Sequence, residues 1–180
     1  MIYLDHNATT PMDPEVLEGM LPWFREHFGN AGSGHAAGHL AEAAVARARD
    51  QVATLLRASA AEVVFTSGAT EALNLAVRGV LEAFPDRRHL LISAVEHPAL
   101  QALADWARTQ GVAVDRIPVD GQGRLDLEAL ASTLRADTAL VAVMAANNES
   151  GVCLPVAEAG RLAKTRGALL LVDATQAVGK

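Results

Sequence analysis

The sequence lacks the features of several common classes of protein. Cys153 is the only cysteine, so an internal disulfide is impossible, which fits a reducing compartment. The longest apolar run, Ala139–Ala146, is far too short to span a bilayer. The first residues do not have the basic segment and long apolar segment of a signal peptide. We therefore expect a cytoplasmic protein with no membrane partner.

Positive charge is also scarce. The 180 residues carry a net charge of −6. No cluster of basic residues with aromatic residues between them occurs, which argues against a nucleic-acid surface. Only two lysines occur, Lys164 and Lys180. His35 and His39 have the i, i+4 spacing of metal ligands on a helix. No glutamate lies between them and no third ligand is near, so we predict no metal site.

What is present is a regular alternation of helices and short apolar strands. Asp13-Pro14-Glu15 is typical of a helix start, and we expect this helix to run to about Phe28, followed by an Ala-rich helix over 38–56. Five strands are then predicted, at 62–66, 89–93, 112–117, 138–142 and 168–172. Helices are predicted between them, from about 70 and over 98–109, 127–134 and 156–165. This pattern indicates a three-layer α/β fold, with helices on both faces of a mostly parallel sheet.

Ligands of such sheets bind at the carboxyl ends of the strands. After the first predicted strand, Thr66–Glu71 opens a helix. Gly68 lets the backbone approach a ligand closely, and free N–H groups with the helix dipole favour an anion such as phosphate. A plain turn with Thr70 as the helix cap is the alternative. The segment is neither a P-loop nor a G-x-G-x-x-G turn.

Polar residues follow three more of the predicted strands. His97 is either a stacking or acid–base group or a helix cap. Asn147 and Asn148 either orient a ligand or form a turn. Asp173 ends an apolar strand, where burying a carboxylate is costly unless it meets donors or a cation such as a pyridinium nitrogen. Together these groups predict a binding site at one edge of the sheet.

Several segments resemble those of the cysteine desulfurase family. They occur in the same order as in that family and extend over the whole chain. They are Tyr3–Thr10, Gly29-Asn30 with Ser33, His35 and Gly38, Thr66–Glu71, Glu96–Pro98, Asn147–Gly151 and Asp173–Lys180. That family belongs to the class V aminotransferase branch of fold-type I pyridoxal-phosphate (PLP) enzymes. Its members take sulfur from L-cysteine, leaving L-alanine and an enzyme persulfide, often for iron–sulfur cluster or thio-cofactor assembly. The resemblance implies the large domain of this fold.

The resemblance also implies PLP as the cofactor. Ala69 and Thr70 would hold the cofactor phosphate. Asn147 and Gln176 would donate hydrogen bonds near the phenolic oxygen of the ring.

The same resemblance assigns the remaining site residues. His97 would stack on the pyridine ring and transfer protons, which makes it the predicted catalytic residue. Asp173 would pair with the ring nitrogen and keep it protonated, so that the ring can act as an electron sink. The substrate entrance is assigned to Asn7, Ala8 and Thr9.

Other residues of the family's machinery have no counterpart in the sequence. The family's cofactor-binding lysine directly follows a Ser-x-His motif, and the sequence Ser-x-His-Lys does not occur here. We expect Lys164 to be solvated, Lys180 to be an exposed chain end, and Cys153 to be a small buried hydrophobe. We therefore expect the 180-residue chain to be inactive by itself. We interpret it as one incomplete PLP-binding domain, with an arm and helix over about 1–28, and with the rest of the large domain and the small domain absent.

Two other functions are compatible with the sequence. Selenocysteine lyases and other class V aminotransferase-like enzymes share most of these motifs. A truncated remnant that binds a partner without chemistry would also retain them. For the intact enzyme, the resemblance implies a homodimer that acts on L-cysteine and passes sulfur to an acceptor protein.

Overall fold

The computed structural model describes residues 2–179. The chain folds into two compact units. The smaller unit is Pro11–Phe65, and the larger combines the residues up to Thr10 with the chain from Thr66 onward. Each unit is considered by itself.

The smaller unit is helical. It contains helices α1 (Pro14–Arg25) and α2 (Ala36–Leu56) and a 3-10 turn (Ala60–Glu62). The Asp13 side chain caps α1 as expected and accepts from the Glu15 N–H at 2.8 Å. The helix ends three residues before the predicted Phe28, because the Pro22 carbonyl accepts from the N–H groups of both Glu26 and His27. That pair of bonds closes the last turn early.

The start of α2 depends on a histidine cap and a glycine. His35 Nδ1 accepts from the Gly38 N–H at 3.3 Å, so α2 begins two residues before its predicted start. A side chain at Gly38 would collide with the backbone carbonyl of Ser33. Glycine is therefore required here by the close approach of two backbone segments.

The strand predicted over 62–66 is wrong. Glu62 ends the 3-10 turn, and its Oε2 accepts from the N–H and Oγ of Ser59, both at 2.8 Å. Val63 is extended, but its carbonyl accepts from the Arg49 guanidinium rather than from a neighbouring strand. Within residues 2–179 no strand pairs with this segment. An apolar pattern predicts a strand but does not supply the partner that a strand requires.

The larger unit is built on a four-stranded, entirely parallel sheet of order β2-β1-β3-β4. Its helices are α3 (Ala69–Ala83), α4 (Pro98–Thr109), α5 (Leu127–Thr133) and α6 (Val156–Thr165). Its strands are β1 (His89–Ser93), β2 (Ala113–Ile117), β3 (Thr138–Met144) and β4 (Leu169–Asp173). The sequence predicted β1, α4 and α6 residue for residue. β3 runs two residues further than predicted, because Val143 and Met144 continue the pairing with β4.

Helices cover both faces of the sheet, which confirms the predicted three layers. Leu90 and Ile92 of β1 face α3 and α4 in one buried cluster. Leu91, between them, faces α5 and α6 in the second cluster. This alternation follows from the two-residue period of side chains along a strand. In residues 2–179, no helix combines the length and apolarity needed to cross a membrane.

Candidate functional site

A cavity of about 180 Å³ lies at the carboxyl ends of β3 and β4, beside the start of α3. Its walls come from five separate segments of the larger unit. They are formed by Ala8, Ala69, Thr70, Leu73, His97, Met144, Ala146, Asn148, Asp173, Thr175 and Gln176. Seven of these are residues that the sequence placed in the site, namely Ala8, Ala69, Thr70, His97, Asn148, Asp173 and Gln176. Their individual roles stay predictions.

The start of α3 forms one wall of the cavity. Gly68 precedes the helix in extended backbone, and the space where its side chain would lie is open. The N–H groups of the first helical turn have no partner within the helix. With the positive end of the helix dipole, they make this wall suited to an anion.

The hydroxyl group just before this wall is used locally. Glu71 Oε2 accepts from the N–H and the Oγ of Ser67, both at 2.6 Å. These hydrogen bonds lower the pKa of Glu71, the side-chain bond most, so its carboxylate stays ionised at the helix start. The Ser67 hydroxyl is therefore bound to Glu71, which leaves the Thr70 hydroxyl and the helix N–H groups for a ligand.

His97 is both a helix cap and a cavity residue. Its Nδ1 accepts from the Ala99 N–H at 3.1 Å, so it caps α4. It also lines the cavity and is exposed. The two interpretations offered by the sequence are therefore compatible. Because Nδ1 is an acceptor in this contact, Nε2 is the ring atom left to meet a ligand or a proton.

Asp173, the last residue of β4, forms another wall of the cavity. Its Oδ1 accepts from the Thr175 N–H at 3.1 Å and from the Thr175 Oγ1 at 2.6 Å. The carboxylate is half-buried. Among the residues that the structure describes, no cationic side chain forms an ion pair with it. It is a carboxylate fixed in place, in a cavity, without a counter-charge.

Asn147 is placed differently from the other predicted cofactor residues. Its Nδ2 donates to the Val95 carbonyl at 3.1 Å, and its Oδ1 accepts from the N–H groups of Glu149 and Ser150 at 3.1 and 2.8 Å. It lines a neighbouring cavity with Glu96 and Glu149, whereas Asn148 lines the main one. The turn interpretation holds for Asn147 in this structure, and its predicted contact with a cofactor stays a prediction.

The N-terminal arm contributes one residue to the cavity wall. Ala8 lines it, while the Thr9 carbonyl accepts from the Tyr3 hydroxyl at 3.3 Å. Asn7 lies against Gly151, in the turn that follows β3. Of the three predicted entrance residues, Ala8 is therefore at the cavity itself.

The residues considered as substitutes for the missing machinery lie elsewhere. Lys164 is exposed in the last turn of α6. Cys153 is exposed, so the prediction that it is buried is wrong, and its backbone pairs with that of Ala146. Lys180 is outside the described residues.

Sequence reasoning missed two residues of this region. Thr175 was missed as the partner that fixes Asp173, although Asp-x-Thr is a spacing at which a hydroxyl and an N–H often bond a carboxylate. Glu96 was noted as part of a motif but was given no role. It is 5 % exposed, and burial raises its pKa to about 7. A carboxylate three residues after a buried strand was the available signal.

The geometry agrees with three comparisons to known proteins. The sequence profile described as Aminotransferase class-V matches residues 2–180. A protein named cysteine desulfurase from Trichormus azollae is 48 % identical over 180 residues, which are 100 % of this chain and 45 % of that protein.

Two solved structures match the fold closely. A NifS-like protein superposes with a TM-score of 0.92 and 40 % identity, over 99 % of this chain and 50 % of the other. SspA in complex with cysteine superposes with a TM-score of 0.87 and 29 % identity, over 94 % of this chain and 49 % of the other. The chain thus spans about half the length of the proteins it matches.

Proposed function

The chain belongs to the class-V aminotransferase family, and on that premise we propose that the intact protein is a PLP-dependent cysteine desulfurase. It would remove sulfur from L-cysteine and leave L-alanine and a persulfide on the enzyme. Relatives named cysteine desulfurase that match the whole of this chain support the proposal. The selenocysteine lyase alternative has no separate observation in its favour, whereas the missing cofactor-binding lysine favours the remnant alternative for this chain as it stands.

One observation about the cavity carries the proposal. The start of α3 supplies N–H groups and a positive dipole end at one wall, and Asp173 supplies an unpaired carboxylate at another. A ligand that satisfies both walls has an anionic group and a cationic or proton-bearing nitrogen. PLP has a phosphate and a ring nitrogen, and therefore fits the chemistry of both walls.

The residues of this chain would hold and orient the cofactor. Ala69 and Thr70 would bind the phosphate through the first turn of α3, and Asp173, fixed by Thr175, would hold the proton on the ring nitrogen. His97, fixed by its cap contact, would stack on the pyridine ring and present Nε2 to a proton in transfer. When bound, PLP supplies an electron-accepting ring.

The remaining polar residues would complete this arrangement. Gln176 lines the cavity and would donate near the phenolic oxygen. We keep the same role for Asn147, which requires its side chain to leave the turn that it stabilises here. Ala8, with Asn7 and Thr9 beside it, would border the substrate entrance.

Substrate, partners and location are proposals for the intact protein. L-cysteine as substrate is supported by the similarity to SspA, which was solved in complex with cysteine. We propose a cytoplasmic homodimer that hands sulfur to an acceptor protein. We also propose that the 180-residue chain alone is inactive, because within residues 2–179 no lysine lies at the cavity.

The test is to purify the intact protein, add PLP, L-cysteine and a thiol reductant such as dithiothreitol that frees the persulfide sulfur as sulfide, and measure sulfide and L-alanine together. Equal amounts of both products would support desulfuration. Binding of PLP without release of either product would contradict the proposed reaction. Rates with selenocysteine, measured alongside, would distinguish the selenocysteine lyase alternative.

A further inference from the structure

Glu96 is a buried acid that joins the ends of two strands. It lies three residues after β1 and directly before His97, and its exposed fraction is 5 %. Its Oε1 accepts from the Ser93 hydroxyl at 2.5 Å and from the Met144 N–H at 2.7 Å. Ser93 is the last residue of β1, and Met144 the last of β3. The carboxyl group therefore bridges the carboxyl ends of both strands.

This contact continues the sheet after β1 has ended. The two strands pair as far as Ile92 with Ala142. Met144 is two residues beyond Ala142, so its N–H points to the same side, where β1 no longer supplies a carbonyl. The Glu96 carboxyl supplies the acceptor instead. Burying that N–H without an acceptor would be costly.

A second contact ties the same loop to the end of β3. Asn147 Nδ2 donates to the Val95 carbonyl at 3.1 Å. The segment 95–96 is thus held twice against the chain that leaves β3. His97 follows immediately, and both His97 and Met144 line the main cavity. The two contacts therefore fix the relative positions of two cavity walls.

The surroundings of Glu96 favour its protonated form. Its Oε2 is buried and has no hydrogen-bond partner in residues 2–179. The charged or titratable groups near it are Asp173, which acts on its titration, and His97 and Glu149, which line the adjoining cavity. Burial, and then the Asp173 charge, raise the pKa of Glu96 to about 7, against the hydrogen bonds from Ser93 and Met144. Two carboxylates at one edge of the sheet would repel each other if both were ionised.

We propose that Glu96 is a positioning residue whose acceptor oxygen, rather than a negative charge, holds the His97 loop to the end of β3. The proposal deepens the desulfurase function proposed above and rests on it for the cofactor. Glu96 does not line the main cavity. It acts through His97 and Met144, which do.

The test compares Glu96→Gln and Glu96→Ala in the intact protein, with Glu82→Gln on the exposed side of α3 as the matched control. Glutamine keeps an oxygen that accepts from Ser93 and Met144 but cannot ionise. We expect Glu96→Gln to bind PLP within about threefold of the wild-type affinity, and Glu96→Ala to bind about tenfold more weakly. Affinity is measured by titration with PLP itself.

The melting temperature measured without PLP distinguishes an effect of the charge of Glu96 from an effect of its packing. An acid whose pKa is raised on folding stabilises the fold fully below its unfolded pKa, and this contribution is lost as the pH rises through the folded value. The melting temperature of the wild type without PLP should therefore fall relative to that of Glu96→Gln between about pH 4.5 and about pH 7, by about 5 °C. Glu82→Gln should follow the wild type over the same range.

Each outcome decides for or against the proposal. A tenfold loss of PLP affinity in Glu96→Gln would mean that the ionised carboxylate is needed, which overturns it. Parallel melting profiles of wild type and Glu96→Gln would overturn it as well, and so would wild-type affinity in Glu96→Ala. If the expected pattern appears but the intact protein releases no sulfide from cysteine, the proposed function fails while the role of Glu96 stands. If the intact protein releases sulfide but both Glu96 variants bind PLP and melt as the wild type does, the role of Glu96 fails while the proposed function stands.

Discussion

Asp173 and Met144 are register partners at the carboxyl ends of β4 and β3, and both line the same cavity. The Asp173 carbonyl also accepts from the N–H of Ala145, the residue after Met144, at 2.8 Å. The acid is therefore anchored to the sheet by its backbone, and Thr175 anchors its side chain. An acid fixed at both ends can hold a ligand nitrogen without first losing side-chain freedom.

Replacing this acid should abolish most activity of the intact enzyme. Asp173→Asn keeps the shape and the contact with Thr175 but removes the charge that would hold the ring nitrogen protonated. We expect kcat for sulfide release from saturating L-cysteine to fall by about 100-fold or more. Asp86→Asn, at an exposed position, is the control. An unchanged kcat in Asp173→Asn would remove this residue from the mechanism.

The wall formed by α3 leads to a prediction about phosphate. Ser67 is bound to Glu71, so Thr70 offers the hydroxyl at the start of α3. Thr70→Ala should weaken PLP binding about tenfold, because a hydrogen bond to a charged phosphate is lost. Affinity for pyridoxal, which lacks the phosphate, should hardly change. Equal losses for PLP and pyridoxal would place the phosphate elsewhere, and Thr165→Ala, at the end of α6, controls for general effects.

A buried histidine at the amino ends of the strands, opposite the cavity, should make the stability of the protein depend on pH. His89, at the start of β1, is fully buried, and its ring nitrogens contact Thr138 Oγ1 at 2.8 Å and Asp115 Oδ2 at 3.1 Å. Burial lowers the pKa of His89 and Arg135 adds to this, while the hydrogen bond to Asp115 acts in the opposite direction. Burial prevails because the Asp115 side chain is half-exposed, where water weakens the attraction.

A histidine with a lowered folded pKa stabilises the protein above its unfolded pKa, and this stabilisation is lost as the pH falls. We expect the urea midpoint of the wild type to fall between about pH 7 and about pH 5 more steeply than that of His89→Gln. His39→Gln, at an exposed histidine of α2, should behave as the wild type. A steeper fall in His89→Gln than in the wild type would mean that His89 is charged in the fold. Glu96 has the opposite sign, since its contribution falls as the pH rises.

Most of the fold could be predicted because the larger unit has strong local signals. Pro98 after a capping His97, and the apolar run of β1, mark their elements without ambiguity. The segment 62–66 could not be predicted, because a strand is defined by its partner and the sequence pattern shows only an extended, apolar stretch.

The cavity walls were predicted for the same reason as the fold, since carboxyl ends of parallel strands meet at one edge. Which side chains turn into the cavity was less predictable. Asn147 and Asn148 are neighbours with the same amide group, and only the hydrogen bonds of the turn decide that Asn147 faces Val95. The role of Glu96 depends on a β3 N–H that no local pattern places beside it.

The position of Lys164 gives the last prediction. α6 leads into the start of β4, while the cavity lies at the end of that strand, beside Asp173. Five strand residues span about 16 Å, so Lys164 and the cavity lie at opposite ends of the strands. Lys164 is exposed, whereas a lysine that attacks the cofactor aldehyde has to lie within bonding reach of it. We therefore expect no phosphopyridoxyl group on Lys164 when the 180-residue chain is mixed with equimolar PLP, reduced with borohydride and mapped by peptide mass.

Lys164→Arg should give the same mass spectrum as the wild type, apart from the substitution itself, and it should release no sulfide from cysteine. A single adduct on Lys164 that disappears in Lys164→Arg would show that this lysine reaches the cofactor, and would place the PLP site away from Asp173.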